Sequence, residues 1–197
     1  MKNSEELLRA ALTKVPAALA EHVLRVVEEA VPLADAHGVD REAAKIAALG
    51  HDLLRAHGRE WLLSIARDQG HALDASERLA PVLLHGPLAV PILREQYGVL
   101  DADVLGAIAA HTTAAPGMSA LQKVLFLADK IEPHKADGHA PVLQVRDLAA
   151  HDLDAALAAY LDYQVRFAVE HNWPVHPNTV AARNELLAAR AERAGEN

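Results

Sequence analysis

The residues best suited to chemistry in this chain are histidines and aspartates scattered along its length. An adjacent pair, His51-Asp52, ends the apolar helix-forming run Ala43-Ala44-Lys45-Ile46-Ala47-Ala48-Leu49-Gly50. Neighbouring helix positions point about 100° apart, so both side chains reach one ion only where an inner helix face meets a cavity. The pair therefore needs partners from elsewhere. The chain offers His22 in one amphipathic segment, His85 at the start of another, His111 at the end of a third and Asp129 at the end of a fourth. Nitrogen and oxygen ligands without sulfur suit ferrous iron, manganese or zinc in a hydrolytic site. A lone histidine on an apolar face is usually a core residue. Four histidines and two aspartates at helix ends and inner faces are another matter, because burying two unpaired carboxylates costs several kcal/mol and a metal removes that cost.

Hydrophobic spacing predicts the helices that carry these residues, and no stretch alternates with period two over the length of a strand. Ser4 is placed to cap a helix through Leu12, and Pro16 fits the first turn of the next. There Leu19, His22, Val23, Val26, Val27 and Ala30 form one stripe, with Pro32 as a kink and Gly38 as the stop. Asp40 caps the helix of the His-Asp pair, which runs on toward Gly58. A short helix over Glu60–Gln69 follows, and Asp74 or Ser76 caps another. Leu83–Pro87 reads as a loop feeding a helix in which Pro91 forces a kink or a late start. Asp101 and Ser119 cap the helices ending on His111 and Lys130. A polar loop from Asp137 to Pro141 leads into one long helix over Arg146–Glu170, and His176-Pro177-Asn178-Thr179 opens the last. The expectation is an all-α helical bundle, read as a single domain.

Composition narrows the function classes. Just over half of the 197 residues are apolar and only 4% are aromatic, which favours helices packed by Ala, Leu and Val. Without cysteine there is neither a disulfide framework nor a thiolate nucleophile or ligand. The net charge of -8 argues against a nucleic-acid partner, since that binding needs a basic surface, yet a metal and a few cations can reverse the potential inside one cleft. No apolar run reaches the roughly 18 residues of a membrane span, and the opening Met1-Lys2-Asn3-Ser4-Glu5-Glu6 is polar. A cytoplasmic protein without a membrane partner is expected, and the sequence leaves open a homodimer.

Glu21-His22, Ala47-Ala48-Leu49-Gly50-His51-Asp52, Leu84-His85-Gly86-Pro87, Ala110-His111-Thr112-Thr113, Pro116-Gly117-Met118-Ser119 and Leu127-Ala128-Asp129-Lys130-Ile131-Glu132-Pro133, in this order, closely resemble the YqeK family of HD-domain proteins. The resemblance covers residues 18–190. It implies an HD-domain fold and metal-dependent, symmetrical hydrolysis of diadenosine tetraphosphate to two ADP by a metal-bridged hydroxide. It also implies two divalent metal ions, usually iron, with manganese or zinc as alternatives. Carried over residue by residue, His22, His51, Asp52 and Asp129 would hold one ion, and Asp52, His85 and His111 the other, with Asp52 shared. On this reading residues 1–17 are an N-terminal helical segment, 18–135 the metallophosphohydrolase core, and 136–197 C-terminal helices that pack on it and complete the nucleotide pocket.

For a small nucleotide substrate the candidate phosphate contacts are Lys130, Arg55, Lys135, Arg146 and Arg183, with Thr112 and Thr113 as hydrogen-bond donors. Lys130 leads because it follows a ligand directly, and with Asp52 and Arg55 it makes up the expected catalytic set. His176, in the His-Pro-Asn-Thr segment that also resembles the family, would bring the last helix to the pocket. Two positions depart from the family pattern: Arg55 stands where a lysine is common, and His134-Lys135 where an arginine usually follows Glu-Pro. Trp61 and Trp173 read as packing residues rather than stacking platforms. Competing readings are another HD-domain nucleotide phosphohydrolase, a nucleoside monophosphatase or phosphodiesterase, and a helical binding or assembly module with structural metal.

Overall fold

The computed structural model describes residues 2–136 and 140–195. Its elements are helices, and no strand occurs among the described residues. In order they are α1 (Lys2–Leu12), α2 (Ala17–Ala36), α3 (Arg41–Gly50), α4 (Arg59–Asp68), α5 (Ala75–Leu79), a 3-10 turn (Pro81–Leu84), α6 (His85–Tyr97), α7 (Ala102–Ala110), α8 (Ala120–Ile131), α9 (Pro133–Ala136), α10 (Ala140–Ala149), α11 (Leu153–Glu170) and α12 (Pro177–Gly195).

The core gathers around α8. Leu121, Val124, Leu125, Phe126, Leu127 and Ala128 are all buried there, and the helix packs against α2, α3, α7, α10 and α11. Fully burying each large side chain of this set contributes roughly 1.5–3 kcal/mol, so α8 is the element the others are built on. The alanines of α3, Ala43, Ala44, Ala47 and Ala48, are equally buried and let it lie close against α2 and α8. At its end a Cβ on Gly50 would meet Ile108 Cδ1 at 3.1 Å and Leu93 Cδ2 at 3.2 Å, so glycine sets how near α3 comes to α6 and α7.

Side-chain caps start these helices where the sequence places them. Asp40 accepts from the N–H groups of Glu42 and Ala43, Asp101 from Asp103 and Val104, and Ser119 from Gln122. Asp74 and Glu77 form a reciprocal capping box on α5. Gly38 and Gly98, at φ +66° and +64°, end α2 and α6.

Other expectations need correction. Ser4 does not cap α1; it lies inside the helix, and its buried hydroxyl donates to the Gly98 carbonyl. The helix of the His-Asp pair stops at Gly50 and continues as turns, and Gly58 is the N-cap of α4 rather than a stop. α6 starts early, at His85, and carries Pro91 within it. The long helix over Arg146–Glu170 is two, because Asp152 accepts from the Ala155 N–H and starts α11 afresh. Of the loop expected over 137–141, residues 137–139 lie outside the described residues, while Ala140 and Pro141 belong to α10. Trp61 and Trp173 are exposed rather than core residues, but both pack on neighbouring rings: Trp61 stacks on His57 at 3.7 Å, and Trp173 meets Phe167 and His171. No helix of the described residues is long and apolar enough to cross a membrane.

Candidate metal centre

Six side chains meet where α2, α3, α6, α7 and α8 converge. His22 points in from α2, His51 and Asp52 follow α3, His85 opens α6, His111 follows α7, and Asp129 stands in the last turn of α8. Asp52 is their hub. Its Oδ1 lies 2.9 Å from His85 Nε2 and 3.5 Å from His111 Nε2, and its Oδ2 lies 3.6 Å from His51 Nε2 and 3.7 Å from His22 Nε2. Asp129 Oδ1 lies 3.1 Å from His22 Nε2 and 3.9 Å from His51 Nε2. The Nε2 atoms of His85 and His111 face one another at 2.8 Å.

All four rings thus turn Nε2 inward and Nδ1 outward. His51, His85 and His111 each direct Nδ1 to the carbonyl three residues back, those of Ala48, Val82 and Ile108, at 2.5–2.7 Å. Carbonyls at the end of a helix or 3-10 turn are open on one side and can take a side-chain N–H; that of Val82 does so while also accepting from the His85 backbone N–H. His22 uses Glu132 instead, at 3.3 Å. An Nδ1–H held this way leaves the Nε2 lone pair available to a metal.

The electrostatics favour deprotonated ligands. Burial pushes the Asp52 carboxyl up, but His51, His111 and His85 outweigh it and hold the group far below the usual carboxylate range. Burial likewise opposes ionisation of Asp129, yet Lys130 and Lys135 keep its carboxyl well below that range. For His51 burial lowers the pKa against the pull of Asp52 and Asp129, and for His111 it does so to about 4, so both imidazoles are neutral near pH 7. Metal binding requires these protonation states.

The residues fit a divalent metal. His51 Nε2 is buried without any hydrogen-bond partner, which a core histidine avoids and a ligand explains. Donor atoms of His22, His51 and Asp129 lie within 4.8 Å of one another, as do those of His51, Asp52 and His111. The donor set is nitrogen and oxygen only, as hydrolytic ions accept.

The expected substrate contacts divide. Arg55 and Lys135 line an open cleft of about 450 Å³ together with His22, Asp52, Pro16, Ala18 and Leu19. Lys135 Nζ also reaches Asp129 Oδ1 at 2.6 Å, and Lys130 Nζ reaches Asp129 Oδ2 at 2.6 Å while lying 5.3 Å from the centre of the Phe126 ring. Arg146 is tied to Glu29 at 2.6 Å and to the Ile131 carbonyl at 2.8 Å. Arg183 pairs with Asp162, and His176 with Asp74 at 3.1 Å. Thr113 donates to the Ala114 carbonyl, whereas the buried Thr112 hydroxyl has no partner. His176 and Thr113 line a second cavity of about 320 Å³, with Pro87 and Ala110. Sequence reasoning assigned no role to Glu132, a buried carboxylate in the quoted Ile131-Glu132-Pro133 stretch. It follows the charged pair Asp129-Lys130 just past the end of α8, so no local pattern sets it apart.

The HD domain pattern matches residues 19–134, from just before His22 to just after Glu132. This chain is a member of the HD-domain family. Within that family it is 36% identical over 169 residues, 85% of this chain and 88% of the other, to a protein of Halalkalibacterium halodurans named symmetrical bis(5'-nucleosyl)-tetraphosphatase. A Bacillus subtilis protein of the same name is 36% identical over 170 residues, again 85% of this chain and 88% of its own length. The crystal structure of a Clostridium acetobutylicum protein described as a predicted HD superfamily hydrolase involved in NAD metabolism superposes with a TM-score of 0.88 at 32% identity, over 93% of this chain and 97% of that one. These likenesses run through the whole HD domain and its flanking helices, so the resemblance to the YqeK-type tetraphosphatases extends over most of the chain.

Proposed function

We propose that this HD-domain protein hydrolyses dinucleoside tetraphosphates symmetrically, taking diadenosine tetraphosphate and one water to two ADP. The observation that carries the reading is the convergence of four imidazole Nε2 atoms and two ionised carboxylates beside a cleft holding Arg55 and Lys135. The names of its relatives give the substrate class.

His22, His51, Asp52 and Asp129 would hold one divalent ion, and Asp52, His85 and His111 a second, with iron favoured. Bound ions of this kind lower the pKa of water and offset negative charge on phosphate. The chain supplies the rest. Asp52 and Asp129 hold the donor rings in one cluster, while Arg55 and Lys135 meet the polyphosphate in the cleft and draw it toward Asp52 and His22. Cleavage breaks the bond between a β-phosphorus and the central bridging oxygen. The water oxygen ends on one ADP, the bridging oxygen leaves with the other, and the water protons pass to solvent. Residues 18–135 carry this chemistry in our reading, and α10 and α11 pack on α8. A cytoplasmic location suits such a substrate.

Anaerobic purification without a histidine tag, metal analysis and chromatography of the products test the proposal together. Two ions per chain and ADP as sole product are expected. AMP with ATP would refute symmetrical cleavage, release of inorganic phosphate from a nucleoside monophosphate would move the activity to another phosphoester, and a chain that takes up no metal even after reconstitution would refute the mechanism. Chelation should also lower the melting temperature, because an ion at a hundred times its dissociation constant adds about 2.7 kcal/mol to stability.

A further inference from the structure

Three of the four inward-facing histidines are aimed by their own backbone, and one is not. His51, His85 and His111 stand where a helix or 3-10 turn ends, so each finds a carbonyl three residues back for its Nδ1. His22 sits in the second turn of α2, where the carbonyls behind it already accept from the helix ladder. It needs an acceptor from outside. Glu132, just past the end of α8, supplies one: Oε1 lies 3.3 Å from His22 Nδ1, while Oε2 accepts from Arg25 Nε at 2.8 Å and from the His134 N–H at 3.0 Å.

We propose that Glu132, braced by Arg25, is the positioning residue that makes His22 a metal ligand and that sets the affinity of the ion His22 shares with His51 and Asp129. The clamp rests on the metal-centre reading above and adds a role for two residues outside its ligand set. Both oxygens of Glu132 are engaged and its side chain is only 2% exposed, so it approaches neither cleft nor substrate. Three residues after Asp129, it also ties two ligands on different helices together: the turn that ends α8 fixes Asp129 and, through Glu132, the ring of His22. The His22 side chain is 12% exposed, more than any other member of the cluster. This limb is the one nearest solvent, and its ion depends most on an outside brace.

The test is stepwise binding of manganese to the full chain, by calorimetry and by the electron paramagnetic resonance of the free ion, in wild type, Glu132→Gln, His22→Ala and the double variant. Loss of an orienting carboxylate behind a histidine ligand typically weakens metal affinity about ten- to a hundred-fold. We expect that loss for one ion only in Glu132→Gln, with the second ion bound as in wild type. Adding Glu132→Gln to His22→Ala should change nothing further, because the carboxylate acts through that ring. Equal weakening of both ions, additive effects in the double variant, or unchanged binding in Glu132→Gln would each overturn the proposal while leaving the metal centre in place. A wild-type chain that binds no ion would overturn both. Should Glu132→Gln fail to fold, Arg25→Gln leaves the carboxylate present but unbraced; it should weaken the same ion several-fold, and unaltered affinity there would overturn the proposal.

Discussion

Replacing Gly86 with alanine should cost the protein more activity than stability. A Cβ at this position would lie 2.6 Å from the Ile108 carbonyl oxygen and 3.1 and 3.2 Å from Nδ1 and Cε1 of His111. A carbon and a carbonyl oxygen normally approach no closer than about 3.3 Å, so α6 and α7 must separate by roughly 0.7 Å. The displaced atom is backbone and cannot swing away. It is also the acceptor of His111 Nδ1, at 2.7 Å, so the imidazole moves with it. Overpacking of this kind costs about 1–3 kcal/mol, and the helix preference of alanine over glycine returns up to about 1 kcal/mol. The net is a loss of about 1 kcal/mol, or some 2–4 °C in melting temperature for a domain of this size. Displacement of a ligand by most of an ångström can lower turnover by about a hundred-fold. The assay pairs thermal unfolding of the metal-free chain with metal content and hydrolysis of diadenosine tetraphosphate. A Gly86→Ala enzyme that keeps both ions and turns over within twofold of wild type would refute the argument that close approach of α6 and α7 aims His111.

Asp52→Asn should abolish turnover and lower metal content, since one carboxylate faces all four histidines; near wild-type rates with metal supplied would contradict its central place. Arg146→Ala is expected to leave KM unchanged and to destabilise the fold, because it deprives the partly buried Glu29 of its cation. Burial already raises the Glu29 pKa against the pull of Arg146, so a chain without Arg146 should raise it further. A carboxyl whose folded pKa lies above its unfolded value loses stability as pH rises between the two, so the deficit against wild type should be full at pH 7 and shrink toward pH 4.5; a pH-independent deficit in urea titrations would exclude this origin. Ser4→Ala removes the hydrogen bond to the Gly98 carbonyl and should cost about 1 kcal/mol in chemical denaturation, with hydrolysis unchanged.

The fold class and the residues from which a metal centre could be drawn are legible in the chain alone. Period-3.6 stripes, the caps at Asp40, Asp101 and Ser119 and the glycine stops at 38 and 98 are local signals, and local signals act through the backbone of a few residues. They fail where a distant contact decides. Ser4 looks like a cap until Gly98, ninety-four residues away, offers its hydroxyl a partner. The break within Arg146–Glu170 is instead local: Asp152 accepts from the Ala155 N–H, a cap signal hidden in a run that otherwise reads as one helix. The same limit governs the site. Histidines and aspartates at helix ends are visible in the chain, but that His85 Nε2 faces Asp52 at 2.9 Å, or that Arg183 is held by Asp162, follows from how helices pack. Charge and position along the chain nominate five cations for the phosphates, and the packing of the helices brings Arg55 and Lys135 into the cleft with His22 and Asp52 while Arg146 faces Glu29. Glu132 was unreadable for that reason. Its meaning lies in a ring 110 residues away, brought to it by the packing of α2 on α8, and no local periodicity encodes that distance.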